Sequence, residues 1–182
     1  MDRDELIQTV VGLVSAAHDT STGLICLGTL ALLQNPDQME LIQRNSDDPK
    51  FIANATEELL RFISPTQTGR RRIALEDVEL GGNVIREGEG VIALDHQSSR
   101  DPDKFPDPDR LDLTRKEARR HNAFGFGTHQ CAGQSLARVE LQVVFSTLYK
   151  RIPTMQLAVP EDQLPFREDT IVYILDSMPI TW

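Results

Sequence analysis

Apolar residues recur at three- and four-residue spacings from the start of the chain. Leu6, Val10, Leu13, Val14 and Ala17 share one face of a helix that the pattern predicts over residues 4–34. In residues 23–33 the apolar positions run nearly all round, so this half is expected at the centre of the fold. Asn35-Pro36 ends it and opens the next helix, with Pro36 in the first turn and Asn35 as its cap. A third helix is predicted from about Lys50 to Ile63, stopped before Pro65. From Arg72 the period changes to two, and residues 73–75, 78–80, 84–85 and 90–94 read as short strands, with Gly81-Gly82 as a hairpin turn. Residues 101–109 contain Pro102, Pro106 and Pro108 and read as a stiff, irregular segment. A helix over 134–150 follows, and strands are predicted at 155–159, 170–175 and 180–182. The fold class is therefore α+β, mainly α-helical with small peripheral β-sheets, rather than an alternating βαβ arrangement.

Composition narrows the function classes. The chain has 182 residues, 40% hydrophobic and 26% charged, which suits one soluble domain over 1–182. A net charge of −9 argues against nucleic acid as a partner. The two cysteines, Cys26 and Cys131, lie in different contexts and suggest no disulfide framework, which fits a reducing cytoplasm. The N-terminus has no basic region followed by an apolar core, so no signal peptide is expected. Asp19 and Asp37 bracket the apolar run too closely for a membrane span, and it reads as a buried core helix. Basic residues are concentrated at Arg110, Arg115, Lys116, Arg119 and Arg120, and again at residues 70–72.

The most informative stretch is Phe124-Gly125-Phe126-Gly127-Thr128-His129-Gln130-Cys131-Ala132-Gly133, a cysteine in a glycine-punctuated loop with the helix 134–150 directly behind it. Glycine lets such a backbone take conformations barred to other residues and approach a flat ligand closely. Unpaired N–H groups at a helix start stabilise a thiolate by hydrogen bonds and by the helix dipole. This stretch, continued by Gln134-Ser135-Leu136-Ala137-Arg138, resembles the haem-binding loop of the cytochrome P450 family in its bacterial soluble form. The resemblance implies haem b (iron protoporphyrin IX) as cofactor and Cys131 as the axial thiolate on its iron, with Phe124, Gly125 and Gly133 shaping the cofactor-binding loop.

Four more constellations fit the same family. Ala16-Ala17-His18-Asp19-Thr20-Ser21 places polar side chains in an apolar helix, where burial costs free energy unless they are bonded or used. It resembles the family's oxygen-activation segment, which makes Asp19 the acid and Thr20 the alcohol of a proton relay; Ala17 and Ser21 stand where glycine and threonine are common. Glu58 and Arg61, three apart on one helix face, resemble the structural ion pair of the family. Pro108-Asp109-Arg110 resembles the source of its third member, which makes Arg110 the expected partner. Arg72 and His129 match positions that bind the haem propionates, a pairing of cation with carboxylate. Residues 69–72 and 173–175 would border the substrate pocket.

The resemblance runs from about Leu6 to Trp182 and covers the C-terminal half of the P450 fold, starting at the central oxygen-activation helix. It implies a monooxygenase that inserts one oxygen atom into a small organic substrate with electrons from a ferredoxin or flavoprotein, which would dock on the basic face near the cysteine loop. The N-terminal helices of the family have no counterpart here, which leaves two alternatives. One is a truncated, non-catalytic remnant; the other is a haem-binding module that works with a separate N-terminal half.

Overall fold

In the computed structural model, which describes residues 1–66, 68–167 and 170–182, the chain starts with a 32-residue helix, α1 (Arg3–Gln34). A capping box closes its N-terminus: the Asp2 carboxylate accepts from the Glu5 amide, and the Glu5 carboxylate from the Asp2 amide, each at 2.8 Å. Asn35, expected to cap the following helix, makes no side-chain bond to it. Its side-chain amide donates instead to the Ala31 carbonyl at 2.8 Å, while its backbone carbonyl accepts the Gln38 and Met39 amides, so Asn35 ends α1 and stands at the N-cap of α2 (Pro36–Arg44) without a side-chain cap. The next helix, α3 (Pro49–Phe62), is capped by Asp48, which accepts from the Lys50 and Phe51 amides at 2.9 and 3.2 Å.

The middle of the chain forms two small antiparallel sheets. Strands β1 (Arg70–Ile73) and β4 (Gly90–Ala93) pair with Arg70 opposite Ala93 and Ile73 opposite Gly90. Between them β2 (Val78–Leu80) and β3 (Asn83–Ile85) form a hairpin. Gly81 and Gly82 both have positive φ, 57° and 78°, as a two-residue turn matched to the strand twist requires. The strand expected at 73–75 thus begins three residues earlier. Its three arginines hid it from an apolar pattern, whereas its pairing with β4 is a backbone property.

A short helix, α4 (Asp95–Ser98), was not anticipated. After the irregular segment comes α5 (Gln134–Arg151). The tail pairs β5 (Gln156–Leu157) with β8 (Ile180–Thr181), and β6 (Phe166–Arg167) with β7 (Ile174–Leu175). The expected strands at 155–159 and 170–175 are therefore shorter, and β6 was missed because two residues carry no period.

The main core lies where α3 and α5 meet the second half of α1, with α2 closing one side. Leu32, Ile42, Ala55, Leu59, Leu60, Leu113, Leu141, Phe145 and Tyr149 are almost wholly buried there. The Tyr149 hydroxyl meets the Thr29 hydroxyl at 2.9 Å, which satisfies both polar groups. Burial pushes the Tyr149 pKa up, and the bond from Thr29 offsets it only in part. By length and composition α1 could cross a bilayer. Its residues 23–33 are nevertheless largely buried against the rest of the chain, as the sequence pattern implied. The first half is different: Leu6, Ile7, Val10, Val11, Leu13 and Val14 are all exposed.

Candidate functional site

The cysteine loop is held by its own backbone and by a strand. Gly125 and Gly127 have φ of 70° and 78°, and the segment turns at Gly127–His129. The Cys131 amide donates back to the Phe124 carbonyl at 2.9 Å, the Gly125 amide to Asn122 at 2.8 Å and the Gln130 amide to Gly127 at 3.0 Å. A Cβ on Gly125 would collide with the Arg70 guanidinium, which lies over the loop and is tied to the Asp95 carboxylate at 2.9 Å. Gly133 caps α5 with an ordinary φ of −86° and no side-chain bond, and a Cβ there would sit 4.0 Å from the Cys131 sulfur.

Cys131 is exposed at the start of α5, with the first amides of that helix just behind it. Phe124 is buried beneath the loop, whereas Phe126 is exposed. His129 and Arg72 are both exposed. In this structure the Arg72 guanidinium rests on the Arg71 carbonyl at 2.8 Å. Arg70 and Arg72 are two apart on β1 and so project from the same face of the strand.

These residues fit a haem. A lone exposed thiol suits an iron whose other ligands a macrocycle supplies, and cations nearby suit carboxylates on its rim. Among the described residues no group of three or more His, Cys, Asp or Glu side chains could hold a metal by itself.

Asp19 and Thr20 are neighbours on α1. They line an open cleft of about 580 Å³ with Gly12, Ser15 and Ala16 on one wall and Arg167, Thr170, Ile171, Val172 and Ile174 on the other. The Thr20 hydroxyl donates to the Ala16 carbonyl at 2.7 Å, which commits its proton and leaves its oxygen free to accept. Of the residues expected at the substrate pocket, Ile174 lines this cleft. Tyr173 stacks on Phe166 at 5.1 Å instead, and Leu175 is buried in a second, smaller core. Residues 69–72, like Cys131 and His129, lie outside the cleft lining.

The ion pair on α3 is buried and larger than expected. Arg61 donates to both oxygens of Glu58, at 2.7 and 2.9 Å, and both side chains are 0% exposed. The rest of the Arg61 fork donates to the Ser99, Pro108 and Arg110 carbonyls at 2.9, 2.8 and 3.2 Å. The third member is Arg115, whose Nε donates to Glu58 at 3.1 Å. Arg110, expected in that place, is exposed and contributes only its carbonyl, which accepts from both Arg61 and Arg115. Arg115 sits in a basic run and reads as surface charge. Only the path of the proline-rich segment, whose Pro106, Asp107 and Arg110 carbonyls it binds, turns it inward.

A second buried cluster went unread. Glu57, next to Glu58 on α3, accepts from Arg138 of α5 at 2.6 and 3.2 Å and bonds the His121 ring at 2.9 Å. Burial opposes ionisation of Glu57, but the hydrogen bonds from His121 and Arg138 and the Arg138 charge outweigh it and bring its pKa down to about 2. The Arg138 guanidinium also lies 4.5 Å over the Phe124 ring. The signal was available in the adjacent acids Glu57-Glu58 on a helix whose faces are nearly all buried.

Comparison with known proteins follows the same residues. The family model Cytochrome P450 matches residues 1–170. Cytochrome P450 GfsF from Streptomyces halstedii is 53% identical over 171 residues, covering 93% of this chain and 41% of that protein. Cytochrome P450 CYP105Q4 from Mycobacterium marinum is 49% identical over 178 residues, covering 98% of this chain and 43% of that protein. The crystal structure of GfsF superposes with a TM-score of 0.88 over 93% of this chain and 43% of its own. Streptomyces peucetius CYP105P2, in complex with a biphenyl compound, is 47% identical and reaches 0.92 over 100% of this chain and 45% of its own. The chain thus spans less than half the length of the curated relatives it matches, and aligns with their C-terminal part.

Proposed function

Because the chain belongs to the cytochrome P450 family, whose members are haem-binding monooxygenases, we propose that residues 1–182 form the haem-binding C-terminal domain of such an enzyme. In this reading it inserts one atom of dioxygen into a small organic substrate. The observation that carries it is the exposed Cys131, presented at the start of α5 by a loop that its own backbone closes.

Each residue has a role that its surroundings support. Cys131 binds iron as the thiolate, and the amides at the start of α5 stabilise that charge. Haem held in this way supplies dioxygen activation, favoured by the electron density a thiolate donates. Arg72 and His129 pair with the propionates, and their exposure leaves both free to turn toward them. Phe124 and Gly125 pack beneath the loop, and Gly133 keeps the space beside the sulfur clear. Asp19 carries a proton between solvent and the cleft, and Thr20 accepts a hydrogen bond there while its own proton stays on Ala16. Substrate occupies the cleft between α1 and the wall formed by Arg167, residues 170–172 and Ile174. Arg110, Lys116, Arg119 and Arg120, all exposed, form the docking face for an acidic ferredoxin or flavoprotein. Arg115 is excluded from that face by its place in the ion network.

A second reading rests on the exposed apolar residues along the first half of α1. In it the segment holds haem well only with a separate N-terminal half covering that stripe.

Two substitutions test the proposal. Reduced under carbon monoxide, the haem-loaded protein is expected to show the red-shifted Soret band of thiolate-bound haem, and Cys131→Ala to remove it entirely. A band that survives the substitution would show that another group is the ligand. Thr20→Ala is expected to cut product formed per electron consumed by about tenfold or more; unchanged coupling removes Thr20 from the relay.

A further inference from the structure

Both ends of the cysteine loop lead back to one carboxylate. On the entry side, Glu57 bonds His121 Nε2 at 2.9 Å, and His121 Nδ1 accepts the Ala123 amide at 3.0 Å. That amide can bond only a bare Nδ1, so the ring presents an N–H at Nε2 to Glu57. Ala123 precedes Phe124, whose carbonyl accepts the Cys131 amide. On the exit side, Glu57 takes the Arg138 fork, one turn into α5, and Arg138 Nη1 also donates to Gln134 at 2.9 Å in the first turn of that helix. The same guanidinium covers the Phe124 ring, and the His121 ring lies 6.0 Å from it. Glu57 and His121 are both buried, so water does not compete strongly for these bonds.

We infer that Glu57 is a positioning residue for the cysteine loop: through His121 and Arg138 it holds the entry and the exit of the loop to α3, and so fixes how Cys131 is presented. This differs from the Glu58–Arg61–Arg115 network, whose bonds run to the segment 99–115 and reach the loop only indirectly, through Ser99, whose hydroxyl accepts the Asn122 amide at 3.3 Å. The two adjacent acids divide the work. Glu58 organises the segment 99–115, and Glu57 organises the thiolate. The inference rests on the haem-thiolate reading only for what the loop presents its sulfur to.

Residue-resolved amide hydrogen exchange on the haem-free chain tests it. In Glu57→Gln and in His121→Leu, the Cys131 and Gly125 amides are expected to exchange about tenfold faster than in the parent protein. The Ile63 and Ile152 amides, which close α3 and α5, are expected to change by less than about twofold. His121→Leu leaves the Glu57–Arg138 pair in place and so covers the case in which Glu57→Gln loosens the whole core. Loop protection that is unchanged in both variants overturns the inference. So does acceleration that spreads evenly over the loop and both helix ends in both variants, since Glu57 would then only support the core. Neither result depends on haem, so loss of the haem-thiolate reading through Cys131→Ala would leave this one standing, and the reverse.

Discussion

Arg61→Ala is expected to lower the unfolding free energy by about 3–5 kcal/mol, because it leaves the buried Glu58 carboxylate with part of its partners gone. A chain with about 5–15 kcal/mol of stability keeps little after such a loss. Five donated bonds disappear at once, two to Glu58 and three to the carbonyls of Ser99, Pro108 and Arg110. The Phe105 ring, 5.3 Å from the guanidinium, loses its cover as well. Arg115→Ala should cost less, about 2 kcal/mol, since Arg61 still holds Glu58. Arg110→Ala should stay within about 0.5 kcal/mol, as an exposed side chain whose useful atom is its carbonyl. Urea unfolding of the three variants checks the order. Equal losses for Arg110→Ala and Arg115→Ala would return the third place in the network to Arg110.

Acidification is expected to weaken the fold through Glu57. Its folded pKa lies near 2, below the ordinary value of 4.5. A depressed folded value means that the ionised form stabilises the folded state. The contribution is therefore complete above pH about 4.5 and disappears as the pH falls through about 2. Its size is on the order of 2–3 kcal/mol. Other carboxylates titrate in the same window, so the informative quantity is a difference. The urea midpoint of the parent protein should fall more steeply between pH 5 and pH 2 than that of Glu57→Gln. Parallel pH profiles would show that the His121 and Arg138 bonds do not hold Glu57 ionised in the fold.

The helices were legible because their signals are local. Periodic apolar residues, Pro36 at a first turn and Pro65 as a stop act within a few residues of one another. The Gly81-Gly82 hairpin was legible for the same reason. Strand β1 was misplaced because Arg70, Arg71 and Arg72 carry no apolar alternation, and the register comes from a strand some twenty residues away. Asn35 stands at the expected N-cap of α2, but that its side chain bonds Ala31 rather than the new helix is decided by the local backbone.

The site divides along the same line. Cys131 in its glycine loop, the Asp19-Thr20 pair and the Glu58-x-x-Arg61 spacing are contiguous patterns, and with them the chain's own residues establish the family and the α+β class. Pairs of residues joined across the fold are decided by tertiary structure. Arg115 reaches Glu58 from 57 positions away, and Glu57 meets Arg138 across 81. Such pairs depend on where the proline-rich segment and α5 cross α3, and no local preference encodes that crossing. Burial was likewise undecidable for charged residues in a row. Of the two cations Arg110 and Arg115, packing turns one inward to a carboxylate and leaves the other in solvent, because a buried charge is tolerated only where partners for it converge.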